Sequence, residues 1–163
     1  MPHFTGATYP TNDQFSLGAC IGFNLSTGKA DILKSMYEGL AFELKLNYLN
    51  LLSVSNFKIK NINAVGGSSR SKAWLQIIAN ILNIEMKTLK IDEGGCLACA
   101  ILGAVYAGEF SNISEGIKKL VEISDTITPE RKNAVLFEEK FNIYKNIYSK
   151  TKSFSKFLSI LKK

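Results

Sequence analysis

The 163-residue sequence is short of several residue types that chemistry often relies on. It has one histidine, His3, close to the start of the chain, where it reads as exposed or lightly packed. A His-dependent catalytic triad therefore lacks its central member. There are three cysteines, an odd number that fits a reducing compartment better than a disulfide framework. Cys96 and Cys99 have the spacing of a redox pair or half a zinc site, but no second pair accompanies them, so they read as structural. Only three prolines and 21% charged residues argue against a disordered chain. The longest apolar run, Cys96 to Ala107, falls short of the roughly 20 residues needed to span a bilayer. The start, Met1-Pro2-His3-Phe4-Thr5-Gly6, has neither a basic region nor a signal-like apolar stretch. These features predict a cytoplasmic protein of one domain, residues 1–163, without a membrane partner.

The net charge of +6 is concentrated rather than general. Residues 150–163 hold five lysines (150, 152, 156, 162 and 163) and no acid, which leaves +1 for the rest. No domain-wide basic footprint exists, so nucleic acid is not the expected partner. Phe154, Phe157, Leu158 and Leu161 give this tail the pattern of an amphipathic helix. Its expected role is to dock those apolar residues on its own domain.

Apolar residues make up 46% of the chain, enough for a core, and their spacing assigns elements along it. Pro10-Thr11-Asn12-Asp13 reads as a turn, and Gly18 to Phe23 as a short strand. From Asp31 to Leu52 the apolar residues recur at helical spacing, with Ser26 or Thr27 available as N-cap. Gly39 in the middle of that helix predicts another backbone passing close by. Ile59 to Val65 reads as a strand that ends at Gly66-Gly67-Ser68-Ser69 and leads into a helix through Trp74 and Leu82. Glu85 to Ile91 reads as a second strand, followed by Glu93-Gly94-Gly95 and a helix from Cys96 to Ala107. That helix is apolar on nearly every face and is expected to be buried on all sides. A short helix at Ile113–Ile123, an extended stretch at Thr126–Pro129 and a long final helix complete the chain. The final helix carries a stripe of Phe137, Phe141, Tyr144 and Tyr148. Interleaved strands and helices predict an α/β layered domain.

The glycine turn is the leading candidate site. Paired glycines at a strand's end let backbone approach a ligand, and the helix that follows presents free N–H groups to an anion. Ser68, Ser69 and Ser71 add hydroxyls, and Arg70 adds charge. A tight turn capped by a serine would account for the same residues, since the segment is neither a GxGxxG fingerprint nor a Walker loop.

Several motifs, in order, resemble the C-terminal domain of the FGGY family of carbohydrate kinases. Pro2-His3-Phe4-Thr5-Gly6, Pro10 and Gly18-Ala19-Cys20-Ile21-Gly22-Phe23 are similar to its opening segment. Asp31-Ile32 and Tyr37-Glu38-Gly39-Leu40-Ala41-Phe42 are similar to its first helix. Val65-Gly66-Gly67-Ser68-Ser69-Arg70-Ser71, with Trp74 and Gln76, resembles its nucleotide segment, and Glu93-Gly94-Gly95-Cys96-Leu97-Ala98 the segment after it. The departures are Ser68 for a frequent Gly, Phe23 for Leu, Asn80 for Asp and Ala98 for Gly.

The resemblance implies a ribonuclease-H-like lobe of the actin/hexokinase/Hsp70 type, lacking its first strands, with residues 1–25 as their remnant. It implies ATP and Mg²⁺ as cofactors, with Gly66, Gly67, Ser68 and Ser71 at the nucleotide. It implies no catalytic base and no metal ligand in this chain, and a sugar, xylulose-like by preference, bound only with an N-terminal lobe. The fragment alone is expected to be inactive and prone to self-association, a possible homo-oligomer. The alternative is a non-catalytic interaction module that keeps the lobe's fold.

Overall fold

A computed structural model describes residues 1–55 and 59–161, apart from the Arg131 side chain. Lys162 and Lys163 of the expected tail lie outside the described residues. The chain forms two compact units, one built from residues 1–58 and 131–163 and the other from residues 59–130.

The first unit is helical. Helix α1 runs Lys29–Ser53 and α5 runs Ala134–Leu161. The N-cap of α1 is Gly28, not Ser26 or Thr27, because the Asp31 carboxylate reaches back to accept the Gly28 N–H at 2.9 Å. Ala41, Phe42, Phe137, Phe141 and Tyr144 form the core. The Phe42 ring lies 5.8 Å from Phe141 and 5.2 Å from Tyr144, both tilted. A β-carbon at Gly39 would stand 3.7 Å from Pro2 Cδ and 3.8 Å from the Met1 nitrogen, so the close passage expected there is made by the chain's own start.

Three expectations fail in this unit. Gly18 to Phe23 forms no strand; Met1 and Ala19 exchange two backbone hydrogen bonds, and Gly22 turns the backbone to φ +85°. His3 is buried, not frayed. Its Nδ1 lies 2.7 Å from Ser16 Oγ and its Nε2 3.2 Å from Glu43 Oε1, which also accepts the Tyr144 hydroxyl at 2.5 Å. Burial, and then the Glu43 carboxylate, holds the Tyr144 phenol far above its usual range. Finally, Phe154, Phe157, Leu158 and Leu161 are helical as expected but exposed. At 3.6 residues per turn, Phe154 lies about 140° around α5 from Phe141, so the two aromatic sets are separate stripes.

The second unit is a three-stranded sheet with helices. Strands β1 (Asn61–Ala64), β2 (Glu85–Leu89) and β3 (Ile123–Ile127) lie in that order. β1 and β2 are parallel, with Asn61 opposite Glu85, and β3 runs antiparallel to β2, with Ile127 opposite Met86. Helix α2 (Lys72–Leu82) buries Leu75, Ile78, Ala79, Ile81 and Leu82 in a core shared with Ile84, Met86 and Ile127. Asn83, at φ 55° and ψ 42°, ends α2 in the left-handed conformation that asparagine tolerates. Asn80 Oδ1 accepts from Gln76 Nε2 at 2.9 Å and from the Glu130 N–H at 2.7 Å, a structural use of the residue that departs from the family pattern.

Helix α3 (Gly94–Tyr106) does not fit the expected burial on all sides: only Leu97 and Ile101 are buried, while Cys96, Ala98, Cys99 and Leu102 are exposed. It packs on α4 (Ile113–Leu120), whose Asn112 cap accepts the Glu115 N–H at 3.0 Å. No described helix is long and apolar enough to cross a membrane.

Candidate functional site

Because β1 and β2 are parallel, their C-terminal ends open on the same edge of the sheet. One end leads through Val65 and Gly66 into a 3-10 turn, Gly67–Arg70, and then to α2. The other leads through Asp92 and Glu93 to Gly94 and Gly95 at the start of α3. The Gly66 N–H donates to the Asp92 carbonyl at 2.6 Å and ties the two loops together.

Gly66 sits at φ +80° and ψ −178°, a conformation essentially confined to glycine. A β-carbon at Gly66, Gly67 or Gly95 would meet nothing within 4 Å, whereas one at Gly94 would press on Val65 at 3.1 Å. Three glycines on this edge thus border open space. The amides of Gly67 and Ser68 open the 3-10 turn, where N–H groups have no helical acceptor behind them.

The serines divide. Ser68 is exposed beside the glycines. Ser69 is buried, and its hydroxyl donates to the Gly66 carbonyl at 2.7 Å, so it braces the turn rather than facing outward as expected. Ser71 caps α2, its Oγ accepting the Trp74 N–H at 3.3 Å, and remains exposed with a hydroxyl proton to give. Arg70 brings no free charge: its Nε lies 2.5 Å from Asp92 Oδ2, and a terminal nitrogen lies 3.6 Å from Glu93 Oε1. The Arg70 hydrogen bond holds the Asp92 carboxyl below its usual range. The structure therefore gathers Gly66, Gly67 and Ser68 at one exposed bend, with Ser71 one turn further on. Gly95 and the Arg70–Asp92 clasp were absent from the sequence-derived site; the paired Gly94-Gly95 at the next strand's end was the available signal.

A nucleotide's phosphates suit this bend, since they need exposed amides and no side chain in the way. A metal finds less. Among the described residues no group of three His, Cys, Asp or Glu side chains could hold one, and both carboxylates on this edge face Arg70. A cavity of about 500 Å³ lies in the first unit among Pro2, Ile32, Gly39, Phe42, Ile143 and Ile147. Its apolar walls do not suit phosphate.

Comparison with known proteins gives a consistent result. Residues 1–107 match the FGGY family of carbohydrate kinases, C-terminal domain. The chain is 29% identical over 151 residues to a xylulose kinase of Staphylococcus epidermidis and 25% identical over 162 residues to that of Bacillus subtilis. These alignments cover 93% and 99% of the chain but 30% and 32% of the relatives. Among solved structures, a ligand-bound xylulose kinase from Lactobacillus acidophilus superposes with a TM-score of 0.83 at 27% identity, over 92% of this chain and 30% of that one. The chain thus spans about 30% of the length of the relatives it matches. The expected α/β lobe of the actin/hexokinase type is the fold found.

Proposed function

Since the chain belongs to the FGGY family of carbohydrate kinases, matching its C-terminal domain, we propose that it forms the nucleotide-binding side of an ATP-dependent sugar kinase. Gly66, Gly67 and Ser68 face the phosphates, and Ser71 lies toward the ribose and base. The observation that carries this reading is the bare backbone at Gly66 and Gly67, bordered by open space at the C-terminal end of β1.

Phosphoryl transfer is mostly positioning and charge stabilisation. In this reading the Gly67 and Ser68 amides hold the phosphate oxygens in place without contributing volume, and the Ser71 hydroxyl offers a hydrogen bond one turn away. Magnesium bound with ATP would neutralise phosphate charge, and no residue of this chain is assigned as its ligand. No residue of this chain is assigned as the base that takes the acceptor hydroxyl's proton. That residue, and most contacts to a sugar or polyol acceptor, belong to polypeptide that the relatives have beyond the span of this chain. A xylulose-like acceptor is favoured because the matched relatives are xylulose kinases.

Calorimetry with Mg-ADP tests the reading. The 163-residue chain should bind weakly and without sugar-kinase turnover, and Gly67→Val should abolish binding while circular dichroism stays unchanged. Unaltered nucleotide affinity in a Gly67→Val variant of a full-length kinase carrying this lobe would overturn it.

A further inference from the structure

Cys96 and Cys99 read from sequence as structural residues of a buried helix, but the structure leaves both thiols free and exposed. Leu97 and Ile101 form the buried side of α3, and the two cysteines lie about 150° around the axis from them. Their sulfurs therefore fill no core. Half a zinc site is no better account, because among the described residues no group of three His, Cys, Asp or Glu side chains could hold a metal. What remains is the chemistry of two exposed thiols three residues apart on one helix face.

We propose that Cys96 and Cys99 form a redox modification site that acts on the glycine edge of the sheet; its effect on nucleotide, though not the site itself, rests on the function proposed above. The oxidant is a peroxide. One sulfur, as thiolate, attacks a peroxide oxygen, forming an S–O bond as the O–O bond breaks. The departing oxygen takes the thiol's proton and leaves as water. The second thiol attacks the resulting sulfenic sulfur, forming the S–S bond and expelling a second water. The two sulfurs together lose two electrons, and the peroxide gains them.

Geometry links this bond to Gly95. Helical neighbours three apart keep their β-carbons about 5–6 Å from each other, whereas a disulfide needs about 3.5–4.5 Å. Closing that gap distorts the first turn of α3. The turn is easily deformed, since it opens on Gly94 and Gly95 and Glu93 gives it no side-chain cap. The Asp92 carbonyl accepts both the Gly94 N–H at 2.9 Å and the Gly66 N–H at 2.6 Å, so a shift at the start of α3 reaches the glycine bend. Oxidation thus loosens the backbone that phosphates need held still.

The test uses the 163-residue chain carrying Cys20→Ser. Hydrogen peroxide should remove two hydrogen atoms from its mass and both free thiols, without a covalent dimer, and dithiothreitol should restore them. Cys96→Ser should block that loss. Hydrogen exchange at residues 65–71 and 93–99 should quicken in the oxidised chain. Its Mg-ADP affinity should fall about tenfold, as for one lost hydrogen bond to a charged group. Added oxygen in place of lost hydrogen, cross-linking between chains, or unchanged exchange at Gly66 and Gly67 would each overturn the proposal. So would equal Mg-ADP affinity in the two forms. A reduced chain that binds no Mg-ADP would instead sink the proposed function, and exchange at Gly66 and Gly67 still decides the redox site.

Discussion

Gly116 of α4 lies so close to Ile101 of α3 that a β-carbon there would stand 2.7 Å from Ile101 Cγ2 and 2.9 Å from the Phe110 ring. This hydrogen-only position sets how near the two helices come. An alanine would improve α4's intrinsic propensity by up to about 1 kcal/mol. The overlap outweighs that gain, so Gly116→Ala should destabilise by about 1–3 kcal/mol. In urea titrations Ile101→Ala should absorb part of the loss, giving a non-additive double mutant. Additive effects would show that the helices part freely.

The two glycines of the turn should respond differently. Gly66→Ala forces an L-residue into a glycine-only conformation and should lower stability by about 1–3 kcal/mol. Its new methyl meets nothing, so backbone strain is the whole cause. Gly67 has no such φ, and Gly67→Ala should melt within a degree or two of the parent. Equal loss in both variants would contradict the backbone assignment.

Glu115 offers a pH test. The Ser111 N–H and hydroxyl both donate to its carboxylate, at 2.9 and 2.7 Å, and together with Lys119 they lower its pKa from 4.5 to about 2. A depressed carboxylate stabilises the fold above its unfolded pKa and loses that contribution as pH falls through the folded value. Glu115→Gln should therefore be less stable than the parent at pH 7, with the gap closing between pH 4.5 and 2. A gap that persisted at pH 2 would place its origin elsewhere.

Ser16 is fully buried, with its hydroxyl against His3 Nδ1. Ser16→Ala would leave a buried ring nitrogen without a partner, at a cost of about 1–3 kcal/mol. Hydrogen exchange should then speed up in residues 1–19 ahead of the centre of α1. No change in either measurement would make the contact incidental.

Much of this fold was legible from periodicity. The helices, the two parallel strands and the glycine turn follow from apolar spacing and from where glycine interrupts it, and Gly39 correctly signalled a close neighbour. Burial was harder to read, because it depends on partners remote in sequence. Nothing local marks His3 as buried; Ser16 and Glu43 hold it from 13 and 40 residues away. The apolar sequence of α3 suggested burial on all sides, yet its close contact is made by Gly116 on its neighbour, and Gly103 faces open space. On α5 the tail residues and the Phe137–Tyr144 stripe lie at different angles around the axis, which aromatic content does not reveal. At the candidate site the backbone was readable and the side chains were not: Ser69 and Arg70 look available in sequence but are committed to Gly66 and Asp92.

Only Asn83 and Ile84 lie between the last residue of α2 and the first of β2. So short a tether has no slack. If β2 slides along the sheet by even one residue it must drag α2 lengthwise, and α2 in turn pushes the bend at its far end. The length of this connection thus couples the position of the central strand to that of the glycine bend at the other end of α2.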